Sequence, residues 1–169
     1  MENTRLFAFT QIYNQHKKAV YHYSLKMTGY CSSAEDIVQC VFLKLYEKFE
    51  TINNFDSIKY WLIKTARNEV YSRSRNKMNG AKEFDEADIS QPTGNVETDF
   101  EMKELSGLIN DELNLLEPDF REIYILREYS GLTYDEIAGV LNISKELVKS
   151  RLYQIRTTLI KNISKKLKD

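Results

Sequence analysis

Apolar residues recur at helical spacing along almost the whole of this chain, and the alternation that marks a half-buried strand is nearly absent. The pattern restricts the fold to an all-α architecture. It is interrupted at length once: Asp88-Ile-Ser-Gln-Pro-Thr-Gly-Asn95 is polar, turn-rich and poor in apolar residues. Both prolines, Pro92 and Pro118, fall between helical segments. Residues 80–101 therefore read as a flexible linker. It divides the 169-residue chain into two small helical domains, residues 1–79 and residues 102–169.

Charge sorts along the same divisions, although the net charge is only −1. Residues 59–82 carry Lys59, Lys64, Arg67, Arg73, Arg75, Lys77 and Lys82 against Glu69 alone. Residues 83–104 reverse the balance, with eight acids against Lys103. From residue 140 onward Lys145, Lys149, Arg151, Arg156, Lys161, Lys165, Lys166 and Lys168 face only Glu146 and Asp169. Two basic blocks separated by an acidic one point to two anion-binding surfaces joined by an acidic connector. Ordinary solvated helix faces give the same distribution, so charge by itself leaves both readings open.

No apolar run is long enough to span a bilayer, so membrane insertion is not expected. The opening Met1-Glu-Asn-Thr-Arg5 lacks the basic-then-apolar plan of a secretory signal. Cys31 and Cys40 form neither a disulfide framework nor a CxxC pair, which fits a reduced, cytoplasmic setting. No phosphate-binding glycine loop, zinc-ligand cluster or nucleophile constellation is present. Neither a metal, a cofactor nor a catalytic residue is expected, and His16 and His22 read as structural or surface side chains.

In the first domain, helices are expected over residues 5–15 and 18–28, with a break at Gly29-Tyr-Cys-Ser-Ser33. Ser33, with Asp36 three residues on, looks like the capped start of a third helix. Its buried face comprises Ile37, Val38, Val41, Phe42, Leu45 and Phe49, which leaves Asp36, Gln39, Cys40, Leu43 and Glu47 outside. A fourth helix, over residues 57–76, carries two stripes. Ile58, Leu62, Ala66 and Val70 form the apolar one. Tyr60, Lys64, Arg67, Tyr71 and Arg75 form the other, bordered by Trp61 and Asn68. Alternating cations and rings suit single-stranded nucleic acid: cations hold phosphates, and rings stack on unpaired bases at roughly 1–3 kcal/mol per base. Rim packing beneath solvated cations is the alternative that the stripe leaves open.

The second domain is more specific. Leu105, Leu108, Ile109, Leu113 and Leu116 make an amphipathic helix that stops at Glu117-Pro118. Pro118 suits the first turn of the next helix, which carries Phe120, Ile123, Tyr124 and Leu126 and ends near Ser130-Gly131. Thr133-Tyr-Asp-Glu136 is a capping box that opens a short helix through Leu141. Asn142 suits a left-handed turn and Ser144 caps a longer final helix. This spacing is a helix-turn-helix signature. On the final helix Val148, Leu152, Ile155 and Leu159 point inward. Glu146, Lys149, Ser150, Tyr153, Gln154 and Thr157 lie opposite, on the side a recognition helix presents to the major groove. Lys149, Ser150 and Gln154 can reach base edges, while Arg151 and Arg156 flank them, where phosphates would lie. A purely structural three-helix packing is the remaining alternative.

With these segments in order, the chain resembles the extracytoplasmic-function (ECF, group IV) class of bacterial sigma factors over nearly its whole length. Ala34-Glu-Asp-Ile-Val-Gln-Cys-Val-Phe42 and Tyr60-Trp-Leu-Ile-Lys-Thr-Ala-Arg-Asn68 are similar to segments of region 2. Leu132-Thr-Tyr-Asp-Glu-Ile-Ala138 and Val148-Lys-Ser-Arg-Leu152 are similar to segments of region 4. The resemblance implies a region 2 helical bundle, a region 4 helix-turn-helix and no enzymatic activity. It implies that Asp36, Gln39 and Leu43 meet the β′ clamp of core RNA polymerase and that the β flap is a second polymerase contact. Tyr60, Trp61, Lys64, Arg67, Asn68, Tyr71 and Arg75 would meet melted minus-ten DNA, with Asn68 at a flipped-out base and residues 50–56 completing its pocket. Lys149, Ser150, Tyr153, Gln154, Arg151 and Arg156 would meet minus-thirty-five duplex. A cognate anti-sigma factor is the other implied partner, and the acidic connector would follow polymerase channels otherwise filled by nucleic acid.

Three departures from the family pattern stand out. Cys40 replaces a frequent acid, which implies a weaker or retuned clamp contact. Gln154 replaces a common arginine, which implies less preference for guanine, and Leu147 replaces a frequent threonine. Two rivals remain from the residues themselves. A duplex-binding repressor or activator leaves Trp61 to Asn68 unexplained. A nucleic-acid-processing enzyme with an appended helix-turn-helix lacks a catalytic carboxylate cluster.

Overall fold

The computed structural model describes residues 2–80 and 100–168, and every regular element among them is helical. They form two compact units. One carries α1 (Glu2–Thr28), α2 (Cys31–Lys48) and α3 (Ile58–Met78). The other carries α4 (Phe100–Leu115), α5 (Pro118–Tyr124), α6 (Tyr134–Leu141) and α7 (Lys145–Lys166). Of the expected linker, residues 81–99 lie outside the described residues, and residues 100 and 101 already belong to α4.

In the first unit α1 is one continuous helix, not the expected pair over 5–15 and 18–28. Neither Gly nor Pro stands between them to stop a helix, and the inward stripe runs on through Phe9, Tyr13, His16, Val20 and Tyr23. His16 is buried within that stripe, where desolvation, aided by Lys59, pushes its pKa down. Gly29 makes the turn at φ +80, and its N–H donates to the Leu25 carbonyl at 2.8 Å. The start of α2 also differs from expectation. Ala34 N–H donates to the Tyr30 carbonyl at 3.0 Å, so Ser33 already lies inside the first turn. Tyr30 is the N-cap and makes no side-chain cap bond.

The expected apolar face of α2 is buried throughout. Phe9 of α1 sets its ring edge-on to Phe42, Tyr46 and Phe49, at centroid distances of 6.4, 5.3 and 6.1 Å. From α3 come Ile58, Leu62, Ala66 and Val70, and also Ile63, which the expected stripe omitted. Its burial follows from α3 packing against both α1 and α2, which widens the apolar face. Two 3₁₀ turns, Phe49–Thr51 and Phe55–Ser57, join α2 to α3.

In the second unit Pro118 takes the first turn of α5, as expected. The helix then passes into a π turn, Ile125–Tyr129, and Leu132 N–H reaches back to the Leu126 carbonyl at 3.1 Å. The core comprises Leu113, Ile123, Leu126, Leu132, Ile137, Val140, Val148, Leu152, Ile155 and Leu159. Two acids are buried with them, Glu122 of α5 and Glu112. Glu112 of α4 is 4% exposed and accepts from Asn162 Nδ2 at 2.7 Å and Lys166 Nζ at 2.8 Å, both on α7. These bonds, that of Lys166 foremost, hold its carboxyl below the usual Glu range.

A depressed folded-state pKa gives stability that is present above the unfolded value and is lost as pH falls through the folded one. Glu112→Gln should therefore lower hydrogen-exchange protection of α4 and the end of α7 at neutral pH. The difference from wild type should close on acidification below about pH 4. A difference that persists at acid pH would assign Glu112 to packing alone.

Candidate nucleic-acid interface

The helix-turn-helix is built from local chemistry. Thr133 Oγ1 accepts from Glu136 N–H at 3.2 Å, and Glu136 Oε2 accepts from Thr133 N–H at 2.7 Å, closing the capping box. Asn142 sits at φ 54, ψ 47, the left-handed conformation expected for the turn. Its N–H and that of Ile143 both reach the Ala138 carbonyl. Ser144 Oγ accepts from Leu147 N–H at 3.2 Å and starts α7. Lys145 Nζ pairs with Asp135 Oδ2 at 2.8 Å, so the first turns of α6 and α7 are tied together.

This start fixes which way α7 faces. Val148, Leu152, Ile155 and Leu159 are buried, and Glu146, Lys149, Ser150, Tyr153, Gln154 and Thr157 are all exposed, Tyr153 at 73%. The flanking arginines are held. Arg151 is half-buried, its guanidinium 5.3 Å from the Phe120 ring centroid. Arg156 is exposed, and its Nη2 donates to Glu128 Oε1 at 2.5 Å.

In the first unit, Tyr60, Trp61, Arg67 and Tyr71 are half-buried, and Lys64, Asn68 and Arg75 are exposed. Lys64 Nζ lies 5.6 Å from the Tyr60 ring centroid and the Arg67 guanidinium 4.6 Å from that of Tyr71. The stripe thus pairs cation with ring one turn apart, each pair contributing about 0.5–1 kcal/mol at an exposed site. Its two readings coexist in the geometry: the rings are partly packed, yet the face carries cations and an exposed amide.

Asp36, Gln39 and Leu43 stand exposed on α2, Leu43 at 60%. Beside them runs a polar cluster that the sequence analysis missed. Glu69 of α3 accepts from Lys44 Nζ and from the Cys40 thiol, and Lys44 is the main reason its pKa is lowered. Arg73 Nε lies 3.9 Å from Glu69 Oε2, while Arg73 Nη1 lies 3.7 Å from Asp36 Oδ2. Burial, then the Glu69 charge, pushes the Cys40 thiol pKa up. The available signal was the isolation of Glu69 among cations, with Arg73 one turn away. Cys31 and Cys40 are free and sit nine residues apart on α2, a rise of about 13.5 Å. No disulfide spans that distance.

Among the described residues no cluster of His, Cys, Asp or Glu is placed to hold a metal ion. No helix among them is long and apolar enough to cross a membrane.

Residues 12–79 match the family model for sigma-70 region 2, and residues 106–159 match that for sigma-70 region 4. The chain is 26% identical over 161 residues to RNA polymerase sigma factor YlaC of Bacillus subtilis, covering 91% of each chain. It is 29% identical over 145 residues to the ECF sigma factor SigL of Mycobacterium tuberculosis, covering 84% of this chain and 81% of that one. Its fold is similar to that of the sigma factor RpoE of Bartonella quintana, solved with the anti-sigma factor NepR. That likeness has a TM-score of 0.68 at 24% identity and covers 93% of this chain and 97% of the other. The chain belongs to the sigma-70 family as an extracytoplasmic-function sigma factor, a non-enzymatic factor for promoter-specific initiation with RNA polymerase.

Proposed function

We propose that this chain brings core RNA polymerase to its promoters by reading the minus-thirty-five duplex with α7 and capturing unpaired minus-ten bases on α3. The observation that carries the reading is the division of α7 into a buried stripe and an exposed face of Lys149, Ser150, Tyr153 and Gln154. Lys149 and Gln154 are long enough to hydrogen-bond base edges in the major groove. Arg151 and Arg156 lie beside them on the phosphate side.

On α3 the roles divide by chemistry. Lys64, Arg67 and Arg75 attract phosphates, Tyr60, Trp61 and Tyr71 stack on unpaired bases, and Asn68 hydrogen-bonds a flipped-out base. The turns between α2 and α3 complete that pocket. Strand separation is then driven by binding energy. Asp36, Gln39 and Leu43 engage the β′ clamp, and the second unit engages the β flap. In this reading residues 1–79 act as region 2, residues 80–101 as the connector and residues 102–169 as region 4. An anti-sigma factor in the cytoplasm would mask these surfaces; the fold shared with RpoE, solved with NepR, supports that pairing.

Reconstitution with core polymerase and a promoter tests the reading. The chain should bind core and support specific transcription; failure in both would return it to the class of plain duplex-binding regulators. Lys149→Ala should weaken minus-thirty-five binding by roughly 1–3 kcal/mol, and an unchanged promoter preference would remove Lys149 from the reading face. Asn68→Ala should impair open-complex formation while sparing core binding, as followed by permanganate reactivity of unpaired thymines. Loss of both properties would instead indicate a folding defect.

A further inference from the structure

Arg156 lies where a phosphate contact is proposed, yet it already has an anion. Its Nη2 donates to Glu128 Oε1 at 2.5 Å, and the guanidinium also hydrogen-bonds Tyr134. Tyr134 is itself fixed. The Arg127 guanidinium lies 4.8 Å from its ring centroid, and Arg127 Nη1 donates to the Leu132 carbonyl at 2.7 Å. The carboxylate comes from the π turn and the guanidinium from α7, so the pair joins two elements of the second unit. Both side chains remain accessible, 43% exposed for Arg156 and 38% for Glu128. A phosphate can therefore approach the guanidinium, but only in competition with a carboxylate already bonded to it.

We propose that Glu128 limits the sequence-independent part of duplex affinity, acting as an internal counter-ion that holds Arg156 back from the phosphate backbone. The inference rests on the duplex-reading role proposed for α7. Phosphate contacts strengthen binding to every duplex and carry no base information. A chain that neutralises one flanking cation internally binds all DNA less tightly, while Lys149, Ser150, Tyr153 and Gln154 keep their preference among base sequences. The other flanking cation, Arg151, lies over Phe120, a ring without charge, and stays available to phosphate.

Glu128→Gln separates charge from geometry, because the amide oxygen still accepts from Arg156 while the negative charge is gone. The full chain assembled with core polymerase would be titrated with promoter duplex and with unrelated duplex across a salt series. Wild type and E128Q share the polymerase contribution, so their difference reports the pair. In E128Q the slope of log affinity against log salt should steepen by about 0.9, the value for one added phosphate contact. The fall in affinity between about 50 and 200 mM salt then grows by roughly 3.5-fold, equally for both duplexes. Arg156→Gln should remove this gain in the E128Q background and lower affinity less in the wild-type background than in that one.

An unchanged or shallower slope in E128Q would overturn the proposal, since Glu128 would then either not compete with phosphate or serve to present Arg156 to it. A gain confined to promoter duplex would overturn it too, by making the pair part of base readout. If wild type does not distinguish promoter from unrelated duplex and Lys149→Ala has no effect, the role of α7 in reading duplex fails, and this inference falls with it.

Discussion

Two helices, α3 and α7, each have to serve a core and a solvent face with one stretch of 21 or 22 residues. Helical geometry decides how, because residues three and four apart share a face and their neighbours point elsewhere. In α7 the inward stripe consists of Val148, Leu152, Ile155 and Leu159, each at most 5% exposed. Burying such a side chain stabilises by about 1.5–3 kcal/mol relative to leaving it in water. Rotating α7 to hide Lys149 or Gln154 would forfeit several of those burials at once and desolvate a charge besides. The face proposed to read duplex is thus set by what lies on the other side of the helix. The same holds for α3, where Leu62, Ile63 and Ala66 are fully buried and the cation–ring stripe is left to the rim.

Surfaces this basic need anions within them. Each unit supplies its own: Glu69 gathers Lys44 and Arg73 in the first, and Glu112 and Glu128 hold Lys166 and Arg156 in the second. These pairs are not equal in weight. The Arg156–Glu128 pair is substantially exposed, and such pairs contribute about 0–1 kcal/mol. Glu69 and Glu112 are largely withdrawn from water, so removing a partner would leave a buried charge without compensation. The first kind of pair is available for exchange with an outside anion, whereas the second is part of the frame.

What could be read from the sequence follows the range of the interactions. The capping box at Thr133, the left-handed Asn142 and the cap at Ser144 involve residues within a few positions of each other, and all three were legible. The inward stripe of α7 was legible for the same reason. The division of α1 into two helices was wrong because polar His16 and Lys17 look like a break, whereas buried His16 continues the stripe from Tyr13 to Val20. The start of α2 was misplaced because Ser33 resembles a cap, while Gly29 had already made the turn. Ile63 was missed since one helix in isolation does not reveal that two others will pack on it. Glu69 with Lys44, and Glu128 with Arg156, depend on the register of one element against another, which no local pattern encodes.

That register also alters the meaning of Cys40. Judged by resemblance alone, a cysteine in place of an acid removes charge from the surface that Asp36, Gln39 and Leu43 present. In the fold, Asp36, Cys40 and Lys44 follow a line along α2 toward Glu69 and Arg73 of α3, whereas Gln39 and Leu43 turn outward. The Cys40 thiol is half-buried and bonded to the Glu69 carboxylate. A second carboxylate at position 40 would stand against Glu69, and two like charges in contact disfavour ionisation of both. A neutral, weakly donating thiol avoids that conflict and leaves Lys44 and Arg73 to serve one acid. The anion beside position 40 is thus supplied across the helix pair, by Glu69 of α3. Cys40 leaves the edge proposed to meet polymerase intact, since Gln39 and Leu43 keep their outward positions and Asp36 remains 64% exposed at the end of the cluster.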